Sequence, residues 1–356
     1  YELKIIKYIN KILPSLKTQS DKGTFNNVLV VSNTGLGDAI LGTPAIKTLR
    51  KSFPTLNITF LVNKKMQILF KEFDYVDDTI FYSTGIANQL KIVKKLRSKK
   101  IDTIFLLHSN GPEDIFFSIL SGANNILKMT PNTNHEYKDI FLSSPNKQGQ
   151  HTIENRIDLI REFYPSNIDT TMEIGKYFYN NEKEIIDKKD DEKIIGIQVG
   201  AQDVYKMWPI EKFIKLVDKL FDHGNTKIVL LGATDIENTL TLQLIKGTIQ
   251  QDKIINMCGK STIEELPFLV KNLDVLVTND TGTMHLAVAL KIPTLSLFGP
   301  TDSIEFGPYQ DFKMHRVIQK DGFFVNNKAK KLRTQEGMDL ITVEEVYNDI
   351  REMINE

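Results

Sequence analysis

Asp38 is the carboxylate that the sequence places best for proton transfer. It ends the turn Thr34-Gly35-Leu36-Gly37-Asp38, which follows a short β-branched run at residues 28–32. A carboxylate at the carboxyl end of a strand, next to glycine backbone, is well placed to accept the proton of a substrate hydroxyl. Capping of the helix that follows is an equally simple role for Asp38, and the residues alone leave both interpretations open.

The same turn does not match a dinucleotide-binding loop. Ile40 stands where that loop needs a third glycine or an alanine, and Asp38 would repel a pyrophosphate. The sequence also contains no phosphate loop of the GxxxxGKS or GxxxxGKT type. A nicotinamide-dependent oxidoreductase is therefore a weaker alternative, and the catalytically silent binding of a nucleotide or carbohydrate is another.

The stretch at residues 278–285 carries several groups that suit an anion. It follows an apolar run and opens a helix, so the amides of Thr281, Gly282 and Thr283 would point outward and bind a phosphate. The two threonine hydroxyls add donors, and His285 lies within the first helical turn. The simpler alternative has Asp280 as a helix cap and His285 in the core, but the convergence of these groups favours a phosphate site.

Further loops follow predicted strands in the same half of the chain. Lys206 comes soon after Gly200 and just before Trp208-Pro209, and a lysine there could neutralise a diphosphate without a metal ion, although most such lysines are ordinary surface residues. Asp235 and Glu237 follow another strand and could bind ribose hydroxyls or base amines. Because ligands of open α/β sheets bind at the carboxyl ends of the strands, these loops predict one ligand site.

Alternating strands and helices would position these loops. Strands are predicted at residues 28–32, 58–62, 79–82, 103–107, 194–199, 228–231, 275–278 and 294–298. Helices are predicted at residues 89–98, 152–163, 210–221, 236–249, 263–271, 283–290 and 343–354, and one that runs toward residue 53 is kinked or restarted at Pro44. This alternation predicts parallel sheets that helices cover on both faces.

Four segments are expected from this pattern. Residues 1–24 form an amphipathic helix, residues 25–180 and 190–340 form two α/β domains, and residues 341–356 form a last helix. The charged stretch at residues 180–193 marks the boundary between the domains. Lysines interrupt the apolar residues of the first segment, which argues against a secretory signal. A basic helix of this kind could contact an anionic membrane through residues 1–22, or pack on its own domain.

Composition excludes several classes of protein. The 356 residues suggest two domains, and 45 basic residues balance 45 acidic ones, which argues against nucleic acid as a partner. The single cysteine, Cys258, excludes an internal disulfide framework and a cysteine-based metal site. No apolar run is long enough for a transmembrane helix. The six histidines show no paired ligand spacing, so a metal site built from histidines and carboxylates stays open but has no support in the sequence. We therefore expect a soluble protein in a reducing compartment and assign no metal site.

Five motifs occur in order between residues 27 and 309. They are Gly37-Asp38 with Thr43-Pro44-Ala45, Leu107-His108-Ser109, Lys206-x-Trp208-Pro209, Asn279-Asp280-Thr281-Gly282-x-Met284-His285-Leu286-Ala287, and Phe298-Gly299-Pro300-Thr301-Asp302; His151 and Glu154 add an HxxE pattern. Together they resemble glycosyltransferase family nine, the ADP-heptose:lipopolysaccharide heptosyltransferases. Any one motif is weak, but five in this order are specific.

The resemblance implies a GT-B architecture, in which two Rossmann-like doubly wound domains face each other across a cleft and the last helix crosses back to the first domain. It implies an inverting, metal-independent transfer of heptose from ADP-heptose, or of another sugar, to a lipopolysaccharide-core or other glycan acceptor at the inner face of the cytoplasmic membrane. No cofactor is implied besides the nucleotide sugar.

The resemblance also assigns roles to residues. Asp38 would be the general base and Lys206 would hold the diphosphate. The phosphates and ribose of the donor would be bound by Asp280, Thr281, Gly282, Thr283 and His285. The ribose or base would be bound by Gly200, Asp235 and Glu237. The acceptor would be bound by Gly35, Gly37, His108 and Ser109. The sequence departs from the family at Ser32 and Asn33, where many members carry an arginine, and residues 111–144 match no family pattern.

Overall fold

A computed structural model describes residues 25–108, 112–130, 142–145, 149–222, 224–320 and 336–355. The chain divides into two compact units, Tyr1–Lys176 and Tyr177–Glu356. The predicted boundary near residue 180 lies a few residues from this division. The predicted helix at residues 1–24 lies outside the described residues.

The first unit is built on a six-stranded parallel sheet. Its strands are β1 (Asn27–Ser32), β2 (Asn57–Asn63), β3 (Asp78–Tyr82), β4 (Thr103–His108), β5 (Asn125–Thr130) and β6 (Leu142–Pro145). They lie in the order β3-β2-β1-β4-β5-β6, and every neighbouring pair is parallel. The central strand β1 is buried along almost its whole length, as expected for a strand that is covered on both faces.

In the described part of the first unit, five helices accompany this sheet: α1 (Leu36–Leu41), α2 (Thr43–Ser52), α3 (Ile86–Ser98), α4 (Pro112–Ser121) and α5 (Thr152–Arg161). Lys64–Phe70 forms a 3-10 helix. Pro44 lies in the first turn of α2, where its missing N–H costs nothing, so the helix restarts there rather than kinks.

The second unit repeats the same topology. Its strands are β7 (Lys193–Gln198), β8 (Thr226–Leu231), β9 (Ile254–Asn256), β10 (Val275–Asn279), β11 (Thr294–Phe298) and β12 (His315–Gln319). They lie in the order β12-β11-β10-β7-β8-β9, again with every neighbouring pair parallel. Counted within each unit, both sheets have the Rossmann order 3-2-1-4-5-6.

The helices of the second unit are α6 (Tyr177–Asn180), α7 (Ile210–Asp222), α8 (Asp235–Gly247), α9 (Leu266–Lys271), α10 (Gly282–Ala289), α11 (Ser303–Phe306), α12 (Glu336–Asp339) and α13 (Val343–Asn355). In α7 the apolar residues recur on one face, which joins the core of the unit. The last helix, α13, packs against α7, β10 and β11 of this unit. Its predicted return to the first domain stays a prediction.

All eight predicted strands are present, and the predicted fold class, two doubly wound α/β domains, is confirmed. Four strands were missed: β5, β6, β9 and β12. The edge strands β6 and β9 are short, with four and three residues, so they carry little periodic signal. Within the described residues, every helix is too short or too polar to cross a lipid bilayer.

Candidate functional site

Both units place chemistry-bearing residues at the point where the strand order reverses. In the first unit this point lies between β1 and β4, and in the second between β7 and β10. At the carboxyl ends of these strands the neighbouring connections run to opposite faces of the sheet, which opens a crevice for ligands. Asp38 follows β1 and His108 ends β4, while the Gly200 loop follows β7 and Asp280 follows β10.

Asp38 sits in the first turn of α1, three residues after the helix cap Gly35. The Ser32 hydroxyl donates a 2.7 Å hydrogen bond to the carbonyl of Asp38, which ties this helix back to the end of β1. A side chain at Gly42 would press on Ser32 at 3.1 Å, so a small residue suits that position. The carboxylate of Asp38 caps nothing here, because the helix cap is Gly35.

Two side chains donate to the carboxylate of Asp38. The Thr34 hydroxyl donates to Oδ2 at 2.7 Å, and Arg156 Nη2 donates to Oδ1 at 2.9 Å. Arg156 Nη1 also donates to the backbone carbonyl of Asp38 at 2.8 Å. The carboxylate is therefore held by a residue of its own turn and by a residue of α5.

His108 completes the cluster through Thr34. Its Nδ1 lies 2.8 Å from the Thr34 hydroxyl and 3.5 Å from Asp38 Oδ2. A threonine hydroxyl can donate one hydrogen bond, and the ionised carboxylate of Asp38 can only accept one. The Thr34 hydroxyl therefore donates to Asp38, and His108 donates from Nδ1 to the threonine oxygen. In the neutral ring Nε2 then carries the lone pair.

The charges around Asp38 keep it ionised. Burial by itself would raise the pKa of Asp38, but Arg156, His108 and the Thr34 hydroxyl outweigh it and hold the pKa below its ordinary value of 3.8. The pKa of His108 is lowered from 6.5, mainly by burial and also by Arg156 and Lys128, against the opposing effect of Asp38. Near neutral pH, Asp38 is therefore a carboxylate beside a neutral imidazole.

The other predicted acceptor-side residues are placed less tightly. Gly35 is exposed in an extended conformation, with open space where a side chain would stand. Gly37 lies inside α1 next to Asp38. Ser109 lies outside the described residues.

In the second unit, Lys206 is fixed by the residues that follow it. It ends a short 3-10 helix, Val204–Lys206, and Trp208 is buried just beyond. The indole N–H of Trp208 donates to the carbonyl of Ile341 at 3.0 Å, and its ring meets Phe213 edge-on. The tryptophan thus anchors the loop in the core while the lysine stays at its surface.

Asn279 holds the same loop from the end of β10. It is fully buried, and its Oδ1 accepts the backbone N–H of Trp208 at 3.0 Å. Its Nδ2 lies within hydrogen-bond distance of three carbonyls, those of Gln198, Val199 and Gly200, at 3.0–3.3 Å. One amide side chain therefore joins the loops that follow β7 and β10.

Lys206 pairs with Asp280. Its Nζ donates to Asp280 Oδ2 at 2.7 Å, and the Thr301 hydroxyl donates to the same oxygen at 2.9 Å. The lysine and aspartate side chains are 19% and 10% exposed, so the pair borders on solvent. Asp280 is a hydrogen-bond acceptor, as a ribose hydroxyl requires, and its predicted contact with the phosphates and ribose of a donor stays a prediction.

The helix α10 begins directly beyond this pair. Its cap, Thr281, makes no side-chain capping bond and has its hydroxyl 3.1 Å from that of Thr278. The next residues, Gly282 and Thr283, present their amides in the first turn, where an anion is favoured. His285 is buried, at 4% exposure, and its predicted contact with a phosphate stays a prediction.

The predicted ribose- and base-binding residues separate into two kinds. Glu237 is buried, and its Oε2 accepts the amides of Ala233 and Thr234 in a capping box at the start of α8. Its Oε1 accepts a hydrogen bond from Gln198, and Gly200 makes room for its side chain. Glu237 therefore has a structural role, whereas Asp235 is exposed at the same helix start.

Comparison with known proteins identifies the family. A family model described as glycosyltransferase family 9 (heptosyltransferase) matches residues 126–331, more than half of the chain. The chain belongs to this family. The resemblance drawn from the motifs is thereby confirmed, and the protein is a glycosyltransferase.

Relatives of this glycosyltransferase can be aligned with most of its length. Lipopolysaccharide heptosyltransferase 3 of Escherichia coli K12 is 24% identical over 317 residues, 85% of this chain and 89% of the relative. Among solved structures, the E. coli ADP-heptose lipopolysaccharide heptosyltransferase II has a TM-score of 0.73 at 19% identity, covering 92% of this chain and 98% of that one. An E. coli heptosyltransferase solved with ADP has a TM-score of 0.68 at 18% identity, over 92% and 99%. The fold of the glycosyltransferase is of the GT-B type.

Three residues of these clusters were missed by the sequence analysis: Thr34 as a donor, Arg156 and Gln198. Arg156 lies two residues after Glu154 in a predicted helix, where an arginine is normally a solvated charge. An arginine on the apolar face of that helix, next to Ile153 and Ile157, is the signal that could have found it.

Proposed function

We propose that this glycosyltransferase is an inverting heptosyltransferase that moves heptose from ADP-heptose to a lipopolysaccharide-core or other glycan acceptor. The names of its relatives support the heptose, the ADP and the lipopolysaccharide. Within the chain, the support comes from two clusters of suitable chemistry, one in each unit.

The observation that carries the proposal is Lys206 beside the start of α10. A departing nucleoside diphosphate develops negative charge, and a lysine ammonium together with helix-terminal amides stabilises that charge. The Lys206–Asp280 pair supplies the cation, which can turn from the carboxylate to the diphosphate when the donor binds. Asp280 is then left to accept sugar hydroxyls. This arrangement supports transfer without a metal ion.

Asp38 would act on the acceptor. As the acceptor oxygen attacks the anomeric carbon, its O–H bond breaks and the proton goes to the carboxylate of Asp38. The bond from the anomeric carbon to the diphosphate oxygen breaks at the same time, and the diphosphate leaves with the electron pair. A single displacement of this kind inverts the anomeric carbon.

Calorimetric titration tests the donor half of the proposal. The full chain is titrated with ADP, UDP, GDP and NAD without added metal, and ADP should bind best. Lys206→Ala should weaken ADP binding by roughly tenfold or more, because a hydrogen bond to a charged group is worth about 1.5–3 kcal/mol. The matched control is Lys246→Ala, an exposed lysine of α8, which should leave ADP affinity unchanged.

Each outcome bears on a different part of the proposal. Preference for UDP or GDP would contradict the ADP donor and keep the scaffold. Binding of NAD alone would overturn the transferase mechanism. Equal ADP affinity in Lys206→Ala and Lys246→Ala would remove Lys206 from the donor site.

A further inference from the structure

Arg156 is the least expected member of the Asp38 cluster. It lies on α5, 118 positions from Asp38 in the sequence, and its side chain is only 2% exposed. A buried guanidinium is costly unless it is paired and hydrogen-bonded. Within the described part of the chain, the carboxylate that pairs with it is that of Asp38.

The contact between the two residues has two points. One guanidinium nitrogen donates to Asp38 Oδ1 and the other to the backbone carbonyl of Asp38. A planar guanidinium that donates to both the carbonyl and the carboxylate of one residue restricts the side-chain torsions between those two groups. A lysine, with a single ammonium on a flexible side chain, could not reproduce this two-point contact.

Each oxygen of the carboxylate accepts one of these hydrogen bonds, Oδ1 from Arg156 and Oδ2 from the Thr34 hydroxyl. An ionised carboxylate has about four lone-pair sites, so both oxygens keep one to receive a proton. The two hydrogen bonds therefore fix the orientation of the carboxylate without using up its capacity to act as a base.

We infer that Arg156 is the positioning residue of Asp38: from the buried face of α5 it supplies the counter-charge of this carboxylate and fixes the orientation in which the carboxylate receives the acceptor's proton. Arg156 itself touches no reacting atom. The inference rests on the proposed role of Asp38 as base, and it adds a residue that is absent from the motifs quoted in the sequence analysis.

The charged groups around Asp38 determine how the inference is tested. Arg156 faces it from α5 and His108 from β4, while Lys128 of β5 acts on His108. Of these, Arg156 is the fixed charge nearest to the carboxylate. Its removal leaves a partly buried carboxyl group, whose pKa burial then raises.

The test is a titration of the full chain labelled with carboxyl-¹³C aspartate, followed by NMR. The Asp38 signal is assigned by its loss in Asp38→Asn. In the wild type it should stay at the ionised position down to about pH 4. In Arg156→Met its midpoint should rise by about 1–3 pH units, the usual effect of an arginine beside an aspartate.

The control is Arg161→Met, on the same helix. Arg161 pairs with Glu154 and Asp158 and has no contact with Asp38, so its loss tests damage to α5 alone. The Asp38 midpoint should not move in this variant. A wild-type midpoint at or above pH 4, or equal midpoints in Arg156→Met and the wild type, would overturn the inference.

Arg156→Lys is the second variant, for the case in which Arg156→Met does not fold. It keeps a positive charge without the two-point contact, so the midpoint should stay low while turnover falls and the affinity for ADP is unchanged. If Arg156→Lys turned over as fast as the wild type, the two-point contact of the guanidinium would not position the carboxylate of Asp38. Because the titration needs no substrate, its failure is distinct from a failure of the proposed function, which would appear as normal turnover in Asp38→Asn.

Discussion

The two units of this glycosyltransferase place an aspartate–cation pair at the same point of the same topology, yet the two pairs differ in how they are built. Asp38 meets a fully buried arginine that also holds its backbone. Asp280 meets a lysine that is 19% exposed and lies on a loop anchored by Trp208. The first pair is enclosed by the fold, and the second borders on solvent.

This difference between the two pairs matches the two proposed roles, general base and cation for the leaving diphosphate. A general base must keep one orientation and one charge, which a buried bidentate guanidinium imposes. A cation that stabilises a leaving diphosphate must be able to exchange its partner, which a flexible, hydrated ammonium does more easily. The same strand order therefore holds a fixed pair in one unit and an exchangeable pair in the other.

The largest expected effect is on stability. Asp38→Ala leaves the buried Arg156 without its counter-ion and should lower the free energy of unfolding by about 3–5 kcal/mol. Asp280→Ala lets Lys206 turn to water and should cost about 1 kcal/mol or less. Denaturant unfolding of both variants measures the contrast, and equal losses would contradict it.

A double variant separates charge from general damage. Asp38→Ala combined with Arg156→Met removes both charges, and such replacements are often neutral, so most of the lost stability should return. Its activity should not return, because the base is still missing.

The next effect is on turnover. Asp38→Asn should lower the turnover of heptose transfer by roughly 100-fold or more, while ADP affinity is unchanged, because a general base acts in the transition state. The assay is run at a temperature at which circular dichroism shows the variant folded. Asp78→Asn, which loses a surface ion pair with Lys99 in the same unit, is the matched control. Turnover within a few-fold of wild type would remove Asp38 from this role.

Asn279→Asp tests how the exchangeable pair is supported. The new carboxylate keeps the acceptor for Trp208 but places an oxygen against three carbonyls, so stability should fall by about 2 kcal/mol and ADP binding should weaken. Asn238→Asp, on the exposed face of α8, carries the same change of charge without these contacts. If both variants lose the same stability and the same ADP affinity, the hydrogen bonds of Asn279 do not support the donor site.

The smallest effect concerns pH. Although burial raises the pKa of Asp38, Arg156, His108 and Thr34 lower it further, below 3.8. A carboxylate with a lowered pKa stabilises the fold above its unfolded pKa, and this contribution is lost as the pH falls through the folded value. The difference in unfolding free energy between wild type and Asp38→Asn should therefore be constant from about pH 5 to 8 and shrink below about pH 4. His108 is replaced by Gln in both proteins, because its own protonation would otherwise contribute. A difference that shrinks already near pH 5 would contradict the lowering of this pKa by Arg156 and Thr34, the two causes that remain without His108.

Much of the scaffold was predictable because its signals are local. The run before Asp38 and the run before Asn279 are short and β-branched, and each is followed by turn or helix-start residues, so β1 and β10 were found with nearly their true bounds. Motif order gave the family, and the lysine before Trp208 was singled out. Residues 111–144 gave no motif, and the strands β5 and β6 there were missed.

The contacts of the site were not predictable in the same way. Glu237 was expected at a ligand, but three backbone and side-chain donors of its own loop, together with Gln198, occupy its carboxylate. Whether an acid caps a helix or binds a substrate depends on which groups surround it, and a pattern of residue types does not contain that.

The sequence by itself determined the two Rossmann-like halves, the family, and the positions of Asp38, Lys206 and Asp280 at strand ends, because periodicity and turn chemistry act between near neighbours in the chain. Only the tertiary structure decided the state of those residues. Arg156 reaches Asp38 across 118 positions because α5 packs beside the sheet that ends in the Asp38 turn, and the pKa of a carboxylate depends on distances and burial in space.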